Sequence, residues 1–415
     1  MLTPEQQETL TRVGAGTPAG ELLRRYWFPI AASVELRAAA ALPVRLLGED
    51  LALFRTGDGA LGLLDARCPH RGASLAYGVV DDCSLRCAYH GWRFDAAGTC
   101  LEVPALRGDD ARLRERARTR AYPVQELGGL VFAYLGPEPA PLLPRYDLFV
   151  WEGVLRDIGR ALVPCNWLQI MENSVDPTHL EWLHGRHLGA VRGAAGLSVP
   201  SRYGRRHEEI GFDVFRHGIV KRRVLAGGSR DDDDWRIGHP LIFPCMVRVG
   251  AQGQHRFQIR VPVDDTHTLH FWYSCYRPRD GATAPPQDAV PVYDVPFRDE
   301  RGAFLLDFVD GGDIMTWVSQ GPIADRTREM LVDSDSGIVL LHRLLFEQIE
   351  RVRAGEDPLG TVRAPEENVV IELPQERDKY GAGDAFLAES IAMSHVRYSP
   401  LHRQILALLG LAAEG

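Results

Sequence analysis

The chain is predicted to be α+β, with an all-β unit near its N-terminus and a larger mixed region behind it. Three observations lead there. Between residues 29 and 140 short apolar runs are separated by turn residues. Beyond residue 141 strand-like runs share the chain with helical ones, of which Ser334–Arg353 is the clearest. A length of 415 residues leaves room for two cores.

Taken in order, Thr3-Pro4-Glu5-Gln6 has the Thr cap, the Pro and the Gln expected at a helix start, and Gly14 closes that helix. Thr17-Pro18 opens a second short helix carrying Leu22, Leu23, Tyr26 and Trp27, with Pro29 as its stop. Residues 1–28 therefore form an N-terminal helical segment. Val44–Leu47, Leu51–Arg55, Leu61–Asp65 and Val131–Leu135 read as strands of the all-β unit, 29–140. Gly136-Pro137 and a Pro-rich connection lead into residues 141–415. There, Asn166–His184 reads as helical in its second half. Phe212–Phe215, Leu241–Val249, His255–Val263 and Leu269–Tyr276 read as strands. Asp231–Asp234 reads as a solvated loop and 281–296 as a surface loop. In Ser334–Arg353, Ile338, Leu341, Leu345 and Ile349 fall near helical spacing, with Gly355 as the stop.

Composition excludes several functions. An apolar fraction of 45% and a charged fraction of 25% are those of an ordinary soluble protein. No apolar run is long enough to span a membrane, and the polar N-terminus lacks a signal pattern, so a cytoplasmic protein is expected. A net charge of −9 argues against a nucleic-acid partner. Seven cysteines without a secretory signal argue against a disulfide framework. Cys83, Cys100, Cys165, Cys245 and Cys275 read as small buried residues; Cys68 and Cys87 do not.

Cys68-Pro-His70 and, sixteen residues on, Cys87-Ala-Tyr-His90 each supply one thiolate and one imidazole. A zinc finger usually pairs its cysteines in one arm and its histidines in the other. Mixed arms suit a [2Fe–2S] cluster in which one iron takes both thiolates and the other both imidazoles. With Arg71-Gly72 after the first arm and Tyr89, Gly91-Trp92 and Phe94-Asp95 around the second, the stretch resembles the Rieske family.

Asp176, His179 and His184 lie within nine residues of one another. Two imidazoles and a carboxylate on Fe(II) leave positions open for dioxygen and substrate. On an ideal helix, residues five apart point about 140° away from each other. His179 and His184 can therefore share a metal only through a π-bulge or a helix end, which Gly185 favours. His187 offers an undistorted rival pair with His184, and spacing leaves the two pairs equal. The carboxylate cannot be read locally; Asp307, Asp310, Asp313, Asp325, Asp333 and Asp335 are all candidates.

Asn166-Trp167, Gln169, Glu172-Asn173, Asp176, His179 and His184 resemble the catalytic motif of Rieske non-haem iron oxygenases, the α subunits of aromatic-ring-hydroxylating type. The resemblance implies His179 and His184 as Fe(2+) ligands, with His187 a bystander. Asp313, eight residues before Gly321-Pro-Ile, matches the ligand position of the phthalate-dioxygenase-like branch, with Asp310 as the alternative; Asp325 is expected to pair with Arg326. The resemblance also makes 29–140 the Rieske domain and 141–415 a catalytic domain built on a curved antiparallel sheet with covering helices. It implies a homotrimer in which Asp176 links His90 of one subunit to His179 of the next. A separate reductase, with or without a ferredoxin, would supply electrons, since the chain has no dinucleotide fingerprint of its own. The reaction implied is mono- or dihydroxylation, or oxidative O- or N-demethylation, of an aromatic acid or aryl ether in aromatic catabolism. Met171, Phe243 and Trp317, with Phe212, Phe215, Ile242 and Trp272, are candidate pocket walls. Each is also an ordinary core residue. Arg248 or Arg260 could clamp a carboxylate. An electron carrier without the second site, or a zinc-binding interaction protein, are the readings from other classes.

Overall fold

A computed structural model describes residues 1–36, 40–106, 111–199, 202–279, 281–381 and 383–411. The first helix, Pro4–Thr11, has the expected capping box: Thr3 Oγ1 accepts from Gln6 N–H while Gln6 Oε1 accepts from Thr3 N–H. The second, Pro18–Leu23, is capped by Thr17 but ends before Tyr26. Trp27 and Pro29, expected in or just after it, lie instead in a strand, Trp27–Ala32. That strand is at a sheet edge and its pairing shifts beside Pro29, a place where a residue with no N–H is tolerated.

The N-terminal unit is made of small antiparallel sheets. One joins Trp27–Ala32, Leu130–Tyr134 and Val124–Leu127; a second joins Leu42–Leu46, Glu49–Arg55 and Leu61–Asp65. A third has four strands of three residues each, from Val79–Asp81 to Cys100–Glu102. Strands that short are marginal alone. Phe54, Leu64, Leu75, Leu85 and Phe94, all fully buried, supply the shared core that holds them. A short helix, Ala111–Arg116, interrupts the all-β pattern.

The larger region is built on one eight-stranded sheet. Its order is His207–Phe215, Gly218–Leu225, His239–Ile242, Met246–Ala251, Gln254–Asp264, His267–Tyr276, Leu155–Val163 and Val292–Asp294. All neighbours are antiparallel except the last pair, so the sheet is mixed and not purely antiparallel as expected. The expected strand Leu241–Val249 is two strands broken at Pro244, which has no N–H for a ladder. Val292–Asp294 turns part of the expected 281–296 loop into an edge strand. The Asp231–Asp234 run is not wholly solvated: Asp234 is buried, accepting from Arg223 Nε at 2.8 Å and from Tyr380 N–H at 2.8 Å.

Strand Gln254–Asp264 shows how the sheet divides the molecule. Phe257, Ile259 and Val261 point into the main hydrophobic core, while Arg256, Gln258 and Arg260, at the alternate positions, point to the other face. The long helix Ser336–Arg353 buries Leu341, Leu345 and Ile349 in the same core and packs against helix Trp167–Val175. Asn166–His184 is helical in its first half as well as its second. No helix among the described residues is long and apolar enough to cross a membrane.

Candidate metal centres

The two Cys/His arms fold into the same turn. In one, Gly72 N–H donates to Cys68 O at 2.8 Å and Cys68 N–H to Ala73 O at 2.9 Å. In the other, Gly91 N–H donates to Cys87 O at 3.0 Å and Cys87 N–H to Trp92 O at 2.8 Å. Both turns close through a glycine in the left-handed region, Gly72 at φ 73° and Gly91 at φ 71°. The cysteines are buried and their thiols meet, with burial first and Cys87 next raising the Cys68 pKa to about 11. The His70 and His90 rings lie 4.5 Å apart, nearer the surface, and His70 stacks on Trp92 at 4.6 Å. Thiols on the inside and imidazoles on the outside fit the unequal irons of a Rieske cluster. All seven cysteines are free thiols, and Cys83 is exposed on a turn instead of buried as expected.

The second site begins where helix Trp167–Val175 ends at Asp176. The chain resumes as a π-helix, Leu180–His187, with His179 at its start. That wider winding brings residues five apart onto one face. The His179 and His184 rings sit 5.1 Å apart, and His187 is exposed on another side. Gly185 lets the π-helix approach the segment behind it: a Cβ there would come within 2.4 Å of Gly204 Cα.

Helix Val309–Ser319 supplies the carboxylate. Asp313 Oδ1 lies 3.2 Å from His184 Nε2 and 3.9 Å from His179 Nε2. The three form the group of His, Cys, Asp and Glu side chains, among the described residues, close enough to hold one metal ion. Asp313 Oδ1 has no hydrogen-bond partner although it is buried, which suits a metal ligand. Asp310, the alternative, is committed elsewhere: it accepts from Trp272 Nε1 at 2.7 Å and from His395 N–H at 2.9 Å. Asp176 accepts from Thr178 N–H and Oγ1, both at 2.7 Å, and its other oxygen lies 3.6 Å from His179 Nδ1. It stands on the outer side of that imidazole, where a carboxylate orients a ligand.

A cavity opens over His179, His184 and Asp313. Leu180, Val247, Val249 and Phe386 give it apolar walls; Lys221, His239, Gln258 and Arg260 give it polar ones. Of the two candidate arginines, Arg260 reaches this cavity. Arg248 instead forms a buried ion pair with Asp147 and donates to Leu373 O at 2.9 Å. Met171, Phe243 and Trp317 are not among the cavity's lining residues. Met171 is packed in the main core, Trp317 in a separate cluster beside Trp272, and Phe243 lines an apolar cavity with Tyr26 and Phe28. Large apolar side chains had been absorbed by the cores. Asp325 does not pair with Arg326 either: it accepts from Thr327, and Arg326 grips Glu172 with two nitrogens at 2.6 and 2.7 Å. Lys221, His239 and Gln258 escaped sequence reading, though the strict alternation of Arg256-Phe-Gln-Ile-Arg-Val261 was a visible signal.

Comparison with known proteins places the chain in a family. Residues 26–123 match the Rieske [2Fe-2S] domain, residues 163–299 the vanillate O-demethylase oxygenase C-terminal domain, and residues 306–372 the LigXa C-terminal domain like family. The chain is 41% identical to the 5,5'-dehydrodivanillate O-demethylase oxygenase subunit of Sphingobium sp. (strain NBRC 103272 / SYK-6), over 90% of this chain and 87% of that one. It is 32% identical to the phthalate 4,5-dioxygenase oxygenase subunit of Pseudomonas putida, over 87% of this chain and 89% of that one. Among solved structures, Pseudomonas putida CBB5 NdmA shares the fold at a TM-score of 0.61 and 21% identity, covering 80% of this chain and 93% of that one. With a Rieske unit in front, an iron-type triad behind, and relatives of this similarity along nearly the whole chain, the protein belongs to the Rieske non-haem iron oxygenases, as a terminal oxygenase subunit using a [2Fe–2S] cluster and a mononuclear iron.

Proposed function

We propose that the protein carries out oxidative O-demethylation of a methoxylated aromatic compound. The observation that carries this reading is the 41% identity, across 90% of the chain, to an oxygenase subunit named for O-demethylation. The match of 163–299 to a vanillate O-demethylase domain supports it. The balance is ArOCH3 + O2 + 2 e− + 2 H+ → ArOH + HCHO + H2O. Hydroxylation of an aromatic ring is the second reading, supported by the phthalate 4,5-dioxygenase relative.

In this proposal Cys68, His70, Cys87 and His90 hold the cluster, and His179, His184 and Asp313 hold the iron. The bound metals supply electron transfer and dioxygen activation. The chain's own residues do the rest. Asp176 keeps the proton on His179 Nδ1 and leaves Nε2 free to ligate, since its carboxylate faces the former atom. Leu180, Val247, Val249 and Phe386 keep bulk water from the reacting carbon.

The finer organisation is proposed as well: an N-terminal segment 1–28, a Rieske domain 29–140 and a catalytic domain 141–415, in a cytoplasmic homotrimer fed by a separate reductase. Asp176 and His179 line a surface cleft, which supports docking of a neighbour's cluster there. The test is a single turnover of chemically reduced protein with O2 and a panel of methoxybenzoates. Formaldehyde and the matching phenol, one to one, are expected. A product heavier by one or two oxygen atoms with the methoxy group intact would replace demethylation by hydroxylation.

A further inference from the structure

The sheet face that looks into the iron cavity carries three buried cations with no carboxylate partner among the described residues, Lys221, Arg256 and Arg260. Lys221 is buried, and its Nζ donates to Ser174 O at 2.7 Å. Arg260 is 1% exposed; it donates to Gln258 O at 2.9 Å and Gln258 Oε1 at 2.8 Å, and its Nε has no partner. Lys379 and Arg256, which also line the cavity, are engaged by neighbouring side chains. Lys379 lies 3.2 Å from Glu376, and Arg256 bonds His395 and Ser390. His239 stands directly across from Lys221 in the strand pairing, and neither of its ring nitrogens has a partner although the residue is buried.

Burial strains these groups. It is the leading cause, with Arg223 and Lys379 next, of a Lys221 pKa near 7, and it draws Arg260 down to about 9 and His239 well below its usual value. Uncompensated cations in a dry interior are costly, and a chain gains nothing by keeping them unless something of opposite charge arrives. Asp313 is the carboxylate nearest in effect to Arg260, and the metal triad already claims it.

We propose that Lys221, His239 and Arg260 form a subsite for a carboxylate of the substrate, and so determine which aromatic compounds the oxygenase accepts. The subsite rests on the reading that this cavity is where the aromatic substrate binds. One oxygen of the anion accepts from Lys221 Nζ and another from the N–H of neutral His239, while Arg260 offers its free Nε–H. The ring then lies between Val247, Val249 and Phe386, with its uncharged substituent turned toward His179, His184 and Asp313. A neutral analogue would leave Lys221 and Arg260 unpaired, which is the kind of defect that discriminates strongly.

The test is calorimetric binding to the iron-loaded, reductase-free protein. The probes are 2-, 3- and 4-methoxybenzoate, 4-hydroxy-3-methoxybenzoate and the methyl ester of each. At least one acid is expected to bind on the order of 100-fold tighter than its ester. Lys221→Met and Arg260→Gln should each remove most of that preference, and Lys221→Arg should restore part of it. Equal binding of acids and esters, no binding of any acid, or a preference that survives both charge-removing variants overturns the proposal. Formaldehyde release from the same samples, after chemical reduction and exposure to O2, separates the two readings. An acid that binds selectively but yields no formaldehyde sinks demethylation and leaves the subsite standing. Formaldehyde from acids and esters alike, with equal affinities, does the reverse.

Discussion

The cluster site and the iron site are built in opposite ways. The first sits at the tips of two short turns, with His70 exposed, and each turn is closed by hydrogen bonds between residues four or five apart. The second is enclosed. It needs a π-helix from one stretch, a carboxylate 129 positions further on, and a sheet face to roof it. A site made of local turns can be swapped or moved with its hairpins. A site made of distant pieces depends on the whole domain being in place, and its failures should be failures of the frame as often as of the ligands.

The largest effect should separate the two outright. Asp313→Ala is expected to abolish product, by more than about 10³-fold as when a metal ligand is lost, while leaving the visible spectrum of the cluster intact. Cys87→Ser should remove that spectrum and leave iron at the second site, measured by metal analysis. If either substitution empties both sites, the two are not independent.

Removing the frame comes next. Glu172 is buried behind the iron site, gripped by Arg326 through two nitrogens and 2.6 Å from His342 Nε2. Glu172→Ala strands a buried guanidinium and should cost about 3–5 kcal/mol in denaturant unfolding, far more than any ion pair near the cluster. Asp176→Asn should lower turnover by about 10–100-fold with substrate affinity unchanged, because it alters how a ligand is held and not what is bound.

A pH effect also belongs to the enclosed region. Asp157 is fully buried, and burial raises its pKa to about 6 even though Ser399 and Tyr276 donate to it. Its carboxyl is neutral in the folded state up to that pH, but ionised above about 4 in the unfolded chain. The stability it contributes is thus whole below pH 4 and lost as pH rises through 6. Asp157→Asn should remove that slope, gaining up to about 3 kcal/mol at pH 8 relative to the parent and nothing at pH 4. The smallest effect is at a cluster tip. Gly91→Ala places a side chain at φ 71° and should cost only about 1–2 kcal/mol, read as a modest fall in the melting temperature. A larger loss would mean the tips are less self-contained than their hydrogen bonds suggest.

The same contrast explains what could be read from the amino acids. The proposed cluster ligands Cys68, His70, Cys87 and His90 are legible because local turns put their spacing directly into the sequence. His179 and His184 required a departure from the α-helix, and the π-helix supplies it. Asp313 was reachable only by analogy, since nothing local relates residue 313 to residue 184. The cavity walls were misjudged for a physical reason: apolar residues such as Met171 and Trp317 have an ordinary use in cores, and they are used that way. The cavity instead took polar side chains, which in a strand look like a wet surface. Leu155–Val163 went unseen because Arg, Asp and Gly interrupt its apolar run, and Gly218–Leu225 because Lys221-Arg222-Arg223 does.

The alternation along Gln254–Asp264 has a consequence for how such a protein can change. Residues of one parity, 257, 259 and 261, belong to folding; those of the other, 256, 258 and 260, belong to the cavity. Mutation at the second set can alter what is accepted without disturbing the first. One strand thus lets lineages, or a library in the laboratory, explore new substrates while the scaffold stays fixed.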